Sequence, residues 1–314
     1  MPANRIRAAV IGVGYLGRHH ARILATLEDV ELVAVVDTNA ERAAAAANAT
    51  GAPAYGDFRD VFTGVDAVTI AVPTELHRDV ALPFLERGIA VLVEKPMASS
   101  LVQADELLAA ARQSGAALAV GHTERYNPAV AAVLPLVTSP RFIEVHRLGA
   151  FPDRSLDIDV VFDLMIHDLD IILALVRSEV ESIEAVGVPV LTSKYDIANA
   201  RLRFASGCIA NVTASRISKE RVRKIRFFQP DAYISIDYAA QEVEGWRLVR
   251  REGARPVIEG GQLPVARDEP LRRELADFIR AVRTKTAPLV DGDAGRRALE
   301  LATRVAEKME SVTN

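Results

Sequence analysis

Residues 6–17 read IRAAVIGVGYLG: a run of β-forming and small apolar residues that enters a G-x-G-x-x-G at Gly12, Gly14 and Gly17. A strand that runs into such a turn and then into a helix is the signature of a Rossmann dinucleotide-binding unit. Gly12 permits the tight turn, Gly14 lets a pyrophosphate approach the backbone, and Gly17 lets the helix sit close to the sheet. Tyr15 and Leu16 complete the turn, and the helix start supplies amide donors and a positive dipole end for an anion. Asp37 ends the next β-type run, 25 positions after Gly12. A carboxylate there binds the adenosine ribose hydroxyls and repels a 2′-phosphate, so NAD is expected over NADP. Arg42 lies close enough in sequence to weaken that preference.

Outward from this stretch, short apolar runs alternate with helical patterns. Strands are expected at 6–13, 31–37, 67–72, 90–95 and 117–122, with helices at 15–28, 39–50, 76–87 and 99–114. Continuous apolar strands separated by helices imply a parallel sheet covered on both faces. After about residue 122 the texture changes to β-rich runs such as IANARLRFA, CIANVTASRI, RKIRFF and AYISIDY, and a final helix is expected near 294–310. The expected fold is therefore α/β, with a Rossmann domain over 1–121 and an α/β domain over 122–314. The second domain should hold a large, mostly antiparallel open sheet and serve substrate binding and oligomerisation.

Composition narrows the functional classes. A net charge of −4 over 314 residues gives no bias toward nucleic acid or anionic membranes. No apolar run is long enough to span a bilayer, and the start MPANRIRAAVIGVGYLG passes into a strand without a cleavage region. Cys208 is the only cysteine, which excludes intrachain disulfides and thiolate zinc clusters. The expectation is a cytoplasmic globular protein with no metal site, no nucleic-acid partner and no membrane association.

Residues 161–175, VFDLMIHDLDIILAL, include ten large hydrophobes, yet carry Asp163, His167 and Asp170. At about 100° per residue these three fall at roughly 0°, 40° and −20°, one narrow polar stripe on an otherwise apolar helix. Asp170 is assigned to structure. His167 titrates in the range of a general base, and Asp163 can orient its ring. At the end of the 90–95 run stands Glu94-Lys95-Pro96. Lys95 lies where open α/β sheets bind ligands, at the carboxyl end of a strand.

The fingerprint, AVPTELH (71–77), Glu94-Lys95-Pro96 and the Asp163/His167 helix together resemble the Gfo/Idh/MocA oxidoreductase family over the whole chain. That resemblance implies NAD(P)-dependent oxidation or reduction of a secondary alcohol of a sugar or cyclitol, with Lys95, Asp163 and His167 catalytic. It further implies that Pro73, Thr74, His77 and Glu94, with Lys95, contact the nicotinamide end of the cofactor. His20 matches a histidine often found in the helix after the fingerprint, either functional or structural. Arg125, Tyr126 and Asn127 fall where family members place substrate contacts, alongside Lys95 and His167.

The stretch RISKERVRKIR (216–226) carries six cations and one glutamate. It reads either as a solvated hairpin or subunit contact, or, with Arg147 and Arg154, as groups that bind a diphosphate, since Arg engages phosphate oxygens bidentately. VGHTERYNPAV, TASRIS and KIRFFQPDAYISIDY resemble the family branch that oxidises UDP-N-acetylglucosamine at C3 and supplies an aminotransferase on the route to amide-linked lipid A. Alternatives are a free polyol or sugar dehydrogenase of the inositol or glucose type, and a non-catalytic NAD-sensing regulator. A homodimer or homotetramer is expected, because an open sheet needs its outer face covered.

Overall fold

The computed structural model describes residues 5–151, 158–252 and 254–313. The chain packs as two compact units, Met1–Thr123 with Glu269–Arg296, and Glu124–Asp268 with Arg297–Asn314. The chain thus returns to its first unit after residue 268, where the sequence reading placed a single cut at 121/122.

In the first unit, β1 (Ile6–Ile11), α1 (Gly17–Leu24), β2 (Val30–Val36), α2 (Ala40–Thr50), β3 (Ala54–Tyr55) and β4 (Ala67–Ile70) follow in order. Then come α3 (His77–Glu86), β5 (Ala90–Glu94), α4 (Leu101–Ser114) and β6 (Leu118–Gly121). The sheet has strand order β3-β2-β1-β4-β5-β6, and every pairing is parallel. Its order reverses between β1 and β4, the crevice where open α/β sheets take ligands. Every residue of β4, β5 and β6 is buried, as a sheet covered on both faces requires.

The second unit begins with α5 (Pro128–Val133) and β7 (Phe142–Leu148). A π-helical turn, Val161–Met165, leads into α6 (Ile166–Val176). Strands β8 (Val180–Val188), β9 (Ile197–Phe204), β10 (Ile209–Ser215), β11 (Val222–Gln229), β12 (Ala232–Asp237), β13 (Glu242–Val249) and β14 (Val257–Leu263) complete an eight-stranded sheet. Its order is β14-β13-β12-β11-β7-β10-β9-β8, antiparallel except for β7 against β10. Alternation sends Ile143 and Val145 of β7, Val212 of β10 and Ile225 and Phe227 of β11 into one core with Met165, Ile166, Leu169 and Ile172 of the π-turn and α6. One face of the sheet is thereby committed to that helix.

Helix α7 (Pro270–Thr284) belongs to the first unit, where Leu275, Phe278 and Ile279 pack with Ile23, Leu24 and Leu92. Arg283 pairs with Asp29 at 2.7 Å and Arg22 with Glu269, fastening this returning segment at its edge. Helix α8 (Gly292–Thr313) ends the chain and buries Leu301, Ala302 and Val305 in the second core.

Candidate active site

The first unit gathers its candidate residues at the carboxyl ends of β1, β2, β4 and β5. Gly12 has φ +84°, and a Cβ there would lie 2.8 Å from Val72 and 2.9 Å from Ala71 O. A Cβ on Gly17 would fall 1.7 Å from Gly12 O, so helix and turn touch backbone to backbone. Gly14, between them, has nothing within 4 Å of its Cβ position. The turn is closed on its protein side and open at Gly14, a cradle that fits a pyrophosphate. Tyr15 and Leu16 are exposed beside it.

Asp37 is buried, and its carboxylate accepts the Val13 N–H at 3.0 Å and the Asn39 N–H at 2.8 Å. It also receives Arg42 Nη2 at 2.8 Å. Burial alone would raise its pKa, but the Arg42 and backbone hydrogen bonds outweigh that and hold it below the usual carboxylate range. Asp37 is therefore a fixed anion that also orients the fingerprint turn. The open Gly14 cradle and this anion together fit NAD, with Gly12, Gly14, Gly17 and Asp37 as the residues that would hold it.

After β4, Pro73 is exposed and Thr74 partly so, while His77 is buried. His77 Nδ1 faces Pro96 O at 2.9 Å and its Nε2 faces Val72 O at 3.0 Å. Burial pulls its pKa down, and the two carbonyls oppose that only in part. The ring is buried between two main-chain carbonyls with one N–H to offer them, and so packs the loops after β4 and β5 against each other. Glu94 is likewise buried, its Oε1 3.0 Å from His20 Nε2. That oxygen is taken up by the imidazole. Lys95, half-buried, is followed by a cis bond to Pro96.

In the second unit, Asp163 lies in the π-helical turn and His167 in the first turn of α6, both partly exposed, His167 between the buried Ile166 and Asp168. Asp170 is buried, and Arg125 Nη1 reaches its Oδ1 at 3.4 Å and its main-chain oxygen at 3.3 Å. Burial raises the Asp170 carboxyl to about 7, against the pull of Arg125 and Arg297.

Several expected substrate contacts are consumed by the fold. Arg147 follows Ile143 and Val145 on the inward face of β7 and is 4% exposed. Its Nε and Nη2 donate to Asp168 at 2.6 and 2.9 Å, and its Nη1 donates to Glu124 at 3.1 Å. Burial opposes its charge, but the two carboxylates outweigh that and push its pKa further up. The expectation that Arg147 binds substrate is corrected: its donors are committed. Asn127 caps α5 through the Ala129 N–H at 3.0 Å and donates to Tyr238 O at 3.1 Å, and Tyr126 is buried. These two support the fold, and Arg125 is engaged by Asp170. Arg154 lies outside the described residues.

The 216–226 cations divide. Arg216 is buried on Asp196 at 2.9 Å and on Ile158 O at 2.7 Å. Lys224 pairs with Asp237 at 3.5 Å and Arg226 with Glu144 at 2.6 Å, leaving Lys219, Arg221 and Arg223 exposed. Sequence reasoning passed over Asp168 and Glu124. The signal was the period-2 alternation of β7, which aims Arg147 at the core and so demands buried carboxylates.

Among the described residues no group of three or more His, Cys, Asp or Glu could hold a metal ion. No helix among them is long and apolar enough to cross a membrane.

Both parts of the chain resemble known proteins. Residues 6–122 match the oxidoreductase family with an NAD-binding Rossmann fold, and residues 140–234 match the GFO/IDH/MocA C-terminal domain. The chain is 38% identical over 310 residues to UDP-N-acetylglucosamine 3-dehydrogenase of Acidithiobacillus ferrooxidans, covering 98% of each chain. A solved structure of that enzyme superposes with a TM-score of 0.92 at 37% identity, covering 98% of each. Scyllo-inositol 2-dehydrogenase (NAD(+)) of Bacillus subtilis is 30% identical over 234 residues, 68% of each chain. With the fingerprint, Asp37, Lys95 and the Asp163/His167 helix in place, the chain belongs to the GFO/IDH/MocA family of NAD-dependent oxidoreductases.

Proposed function

We propose that this protein oxidises a secondary hydroxyl of a sugar with NAD, and that its substrate is UDP-N-acetylglucosamine, converted at C3 to the 3-keto sugar. The observation that carries the reading is the near full-length likeness to the Acidithiobacillus enzyme. NAD, when bound, accepts the hydride from the carbinol carbon. Lys95 donates a hydrogen bond to the reacting oxygen and stabilises the negative charge that grows there. His167 takes the hydroxyl proton, a role typically worth about 10²- to 10⁴-fold. Asp163 orients the imidazole and favours its protonated form. Thr74 and Pro73 line the nicotinamide end of the cofactor. With Arg147 and Arg216 committed inside the second unit, Arg221 and Arg223 remain as exposed cations for a diphosphate.

We assign the protein to the cytoplasm and to a homodimer or homotetramer joined through the second-unit sheet. Phe142, Phe228, Tyr233 and Trp246 stand in one register row across β7, β11, β12 and β13, on the face opposite the core. Adjacent rings of Phe142, Phe228 and Tyr233 lie 5.6 and 5.2 Å apart. An aromatic row of this kind on a sheet face suits a subunit contact. An aminotransferase on the route to amide-linked lipid A would consume the ketone. The second reading, a free polyol dehydrogenase, is favoured by the Bacillus relative.

The test offers NAD with UDP-N-acetylglucosamine, UDP-glucose, myo-inositol and glucose in parallel, with a carbonyl trap because the oxidation is uphill. NADH formation with UDP-N-acetylglucosamine, lost in Lys95→Ala and His167→Ala, is expected. Turnover with myo-inositol alone would transfer the chain to the polyol reading.

A further inference from the structure

Two buried histidines stand on either side of Lys95, one against the Glu94 side chain and one against the Pro96 carbonyl. On the upstream side, His20 of α1 is fully buried, with Nε2 3.0 Å from Glu94 Oε1. A carboxylate only accepts, so Nε2 carries the hydrogen and donates. His20 Nδ1 is buried without a hydrogen-bond partner among the described residues, so Glu94 is the one group this ring addresses. The other carboxylate oxygen, Oε2, accepts the Lys95 N–H at 3.3 Å. The carboxyl group rests on β6: a Cβ at Gly121 would lie 2.9 Å from Glu94 Cδ and Oε2. On the downstream side, the buried His77 ring lies between Pro96 O, 2.9 Å from Nδ1, and Val72 O, 3.0 Å from Nε2, and its single N–H donates to one of them. Helix α1 is thus fastened to the end of β5 through His20, and the His77 ring packs between the loops after β4 and β5, with Lys95 between the two points.

We propose that His20, acting through Glu94, is a positioning residue for Lys95, with His77 as the matching brace on the other side. An ordinary core histidine would satisfy both ring nitrogens and act on nothing near the chemistry. His20 instead spends its one hydrogen bond on the residue that precedes Lys95 and holds its amide. Burying an imidazole with an orphaned nitrogen costs free energy, and the geometry places the return on that cost at the Lys95 backbone. The inference rests on the reading that Lys95 touches substrate.

The test compares wild type with His20→Leu, His20→Gln, Gly121→Ala and Lys95→Ala. Gln can offer an amide N–H where the imidazole offers Nε2–H; Leu cannot. Gly121→Ala displaces the Glu94 carboxyl without touching either histidine. Three readouts are taken: kcat and KM with UDP-N-acetylglucosamine, NADH affinity by fluorescence, and the acylation rate of each of the six lysines by mass spectrometry. For His20→Leu and Gly121→Ala, kcat should fall about ten- to a hundredfold, the scale of a misplaced catalytic group, while NADH affinity stays near wild type. The Lys95 acylation rate should change while the other five lysines keep theirs, and His20→Gln should restore both.

Wild-type kcat and unchanged Lys95 labelling in His20→Leu would overturn the proposal. So would parallel loss of kcat, NADH affinity and melting temperature that His20→Gln fails to rescue, since that marks a structural role alone. Lys95→Ala separates the two claims: if it keeps full turnover, the reading of Lys95 as a substrate contact falls, and the labelling result still decides whether His20 positions that lysine.

Discussion

His167 and Asp168 are neighbours in the chain with opposite roles. His167 is left partly exposed on α6, while Asp168 is fully buried and holds Arg147 with both oxygens. Removing one partner of a buried, hydrogen-bonded ion pair strands the other, at a cost of about 3–5 kcal/mol. Asp168→Ala should lose stability on that scale in urea unfolding, and a change under 1 kcal/mol would show that Arg147 finds water instead. Asp170 makes a different prediction. Its folded pKa, about 7, lies above that of the unfolded carboxyl. Its favourable contribution is therefore full at low pH and lost as pH rises through about 7. Asp170→Asn should remove this slope, so that its stability relative to wild type rises by a few kcal/mol, in order of magnitude, between pH 4 and pH 7. Melting curves across that range check it; parallel profiles for the two proteins would contradict it. At this scale Lys95, Asp37 and the glycines were legible because each sits at a fixed offset from a strand end. Arg147 was misread because a cation in an acidic protein invites a ligand, whereas its alternation with Ile143 and Val145 places it in the core.

Elements were legible where burial writes a pattern. The strands of the first sheet are buried on both faces and read as apolar runs, and β9 and β10 alternate cleanly. Strands β13 and β14 escaped notice because they bury almost nothing: Val243 is their only buried residue. Strand β3 has two residues, both exposed. The polar stripe of 161–175 was read at a uniform helical period, but the turn that carries Asp163 is π-helical, which adds a residue where the period was assumed constant. Helix α7 carries an i, i+3, i+4 pattern in Leu271, Leu275, Phe278, Ile279 and Val282 that was passed over, and its return to the first unit is a tertiary event with no local marker. The turn after β1 makes its own prediction. Because a Cβ at Gly17 would overlap Gly12 O, Gly17→Ala must separate helix from turn. NADH affinity should fall by tenfold or more, about 1.4 kcal/mol, in a fluorescence titration; unaltered affinity would show that the close approach is dispensable.

At the scale of the whole molecule, the two-part α/β organisation was readable from the change of texture near residue 122, though the single cut was not, since residues 269–296 rejoin the first unit. The second-unit sheet uses its inner face for α6, and its outer face carries the aromatic row with Trp246 40% exposed. Trp246→Glu places a charge in that row, and light scattering should show a smaller assembly than wild type. An unchanged mass would move the subunit contact elsewhere.

In the proposed reaction a hydride leaves C3 of a nucleotide sugar for NAD. UDP-N-acetylglucosamine carrying deuterium at C3 tests it most directly, with the reduced cofactor weighed by mass spectrometry. Cofactor one mass unit heavier than that formed from unlabelled sugar is expected, and none from His167→Ala. Unlabelled reduced cofactor from the deuterated sugar would contradict it.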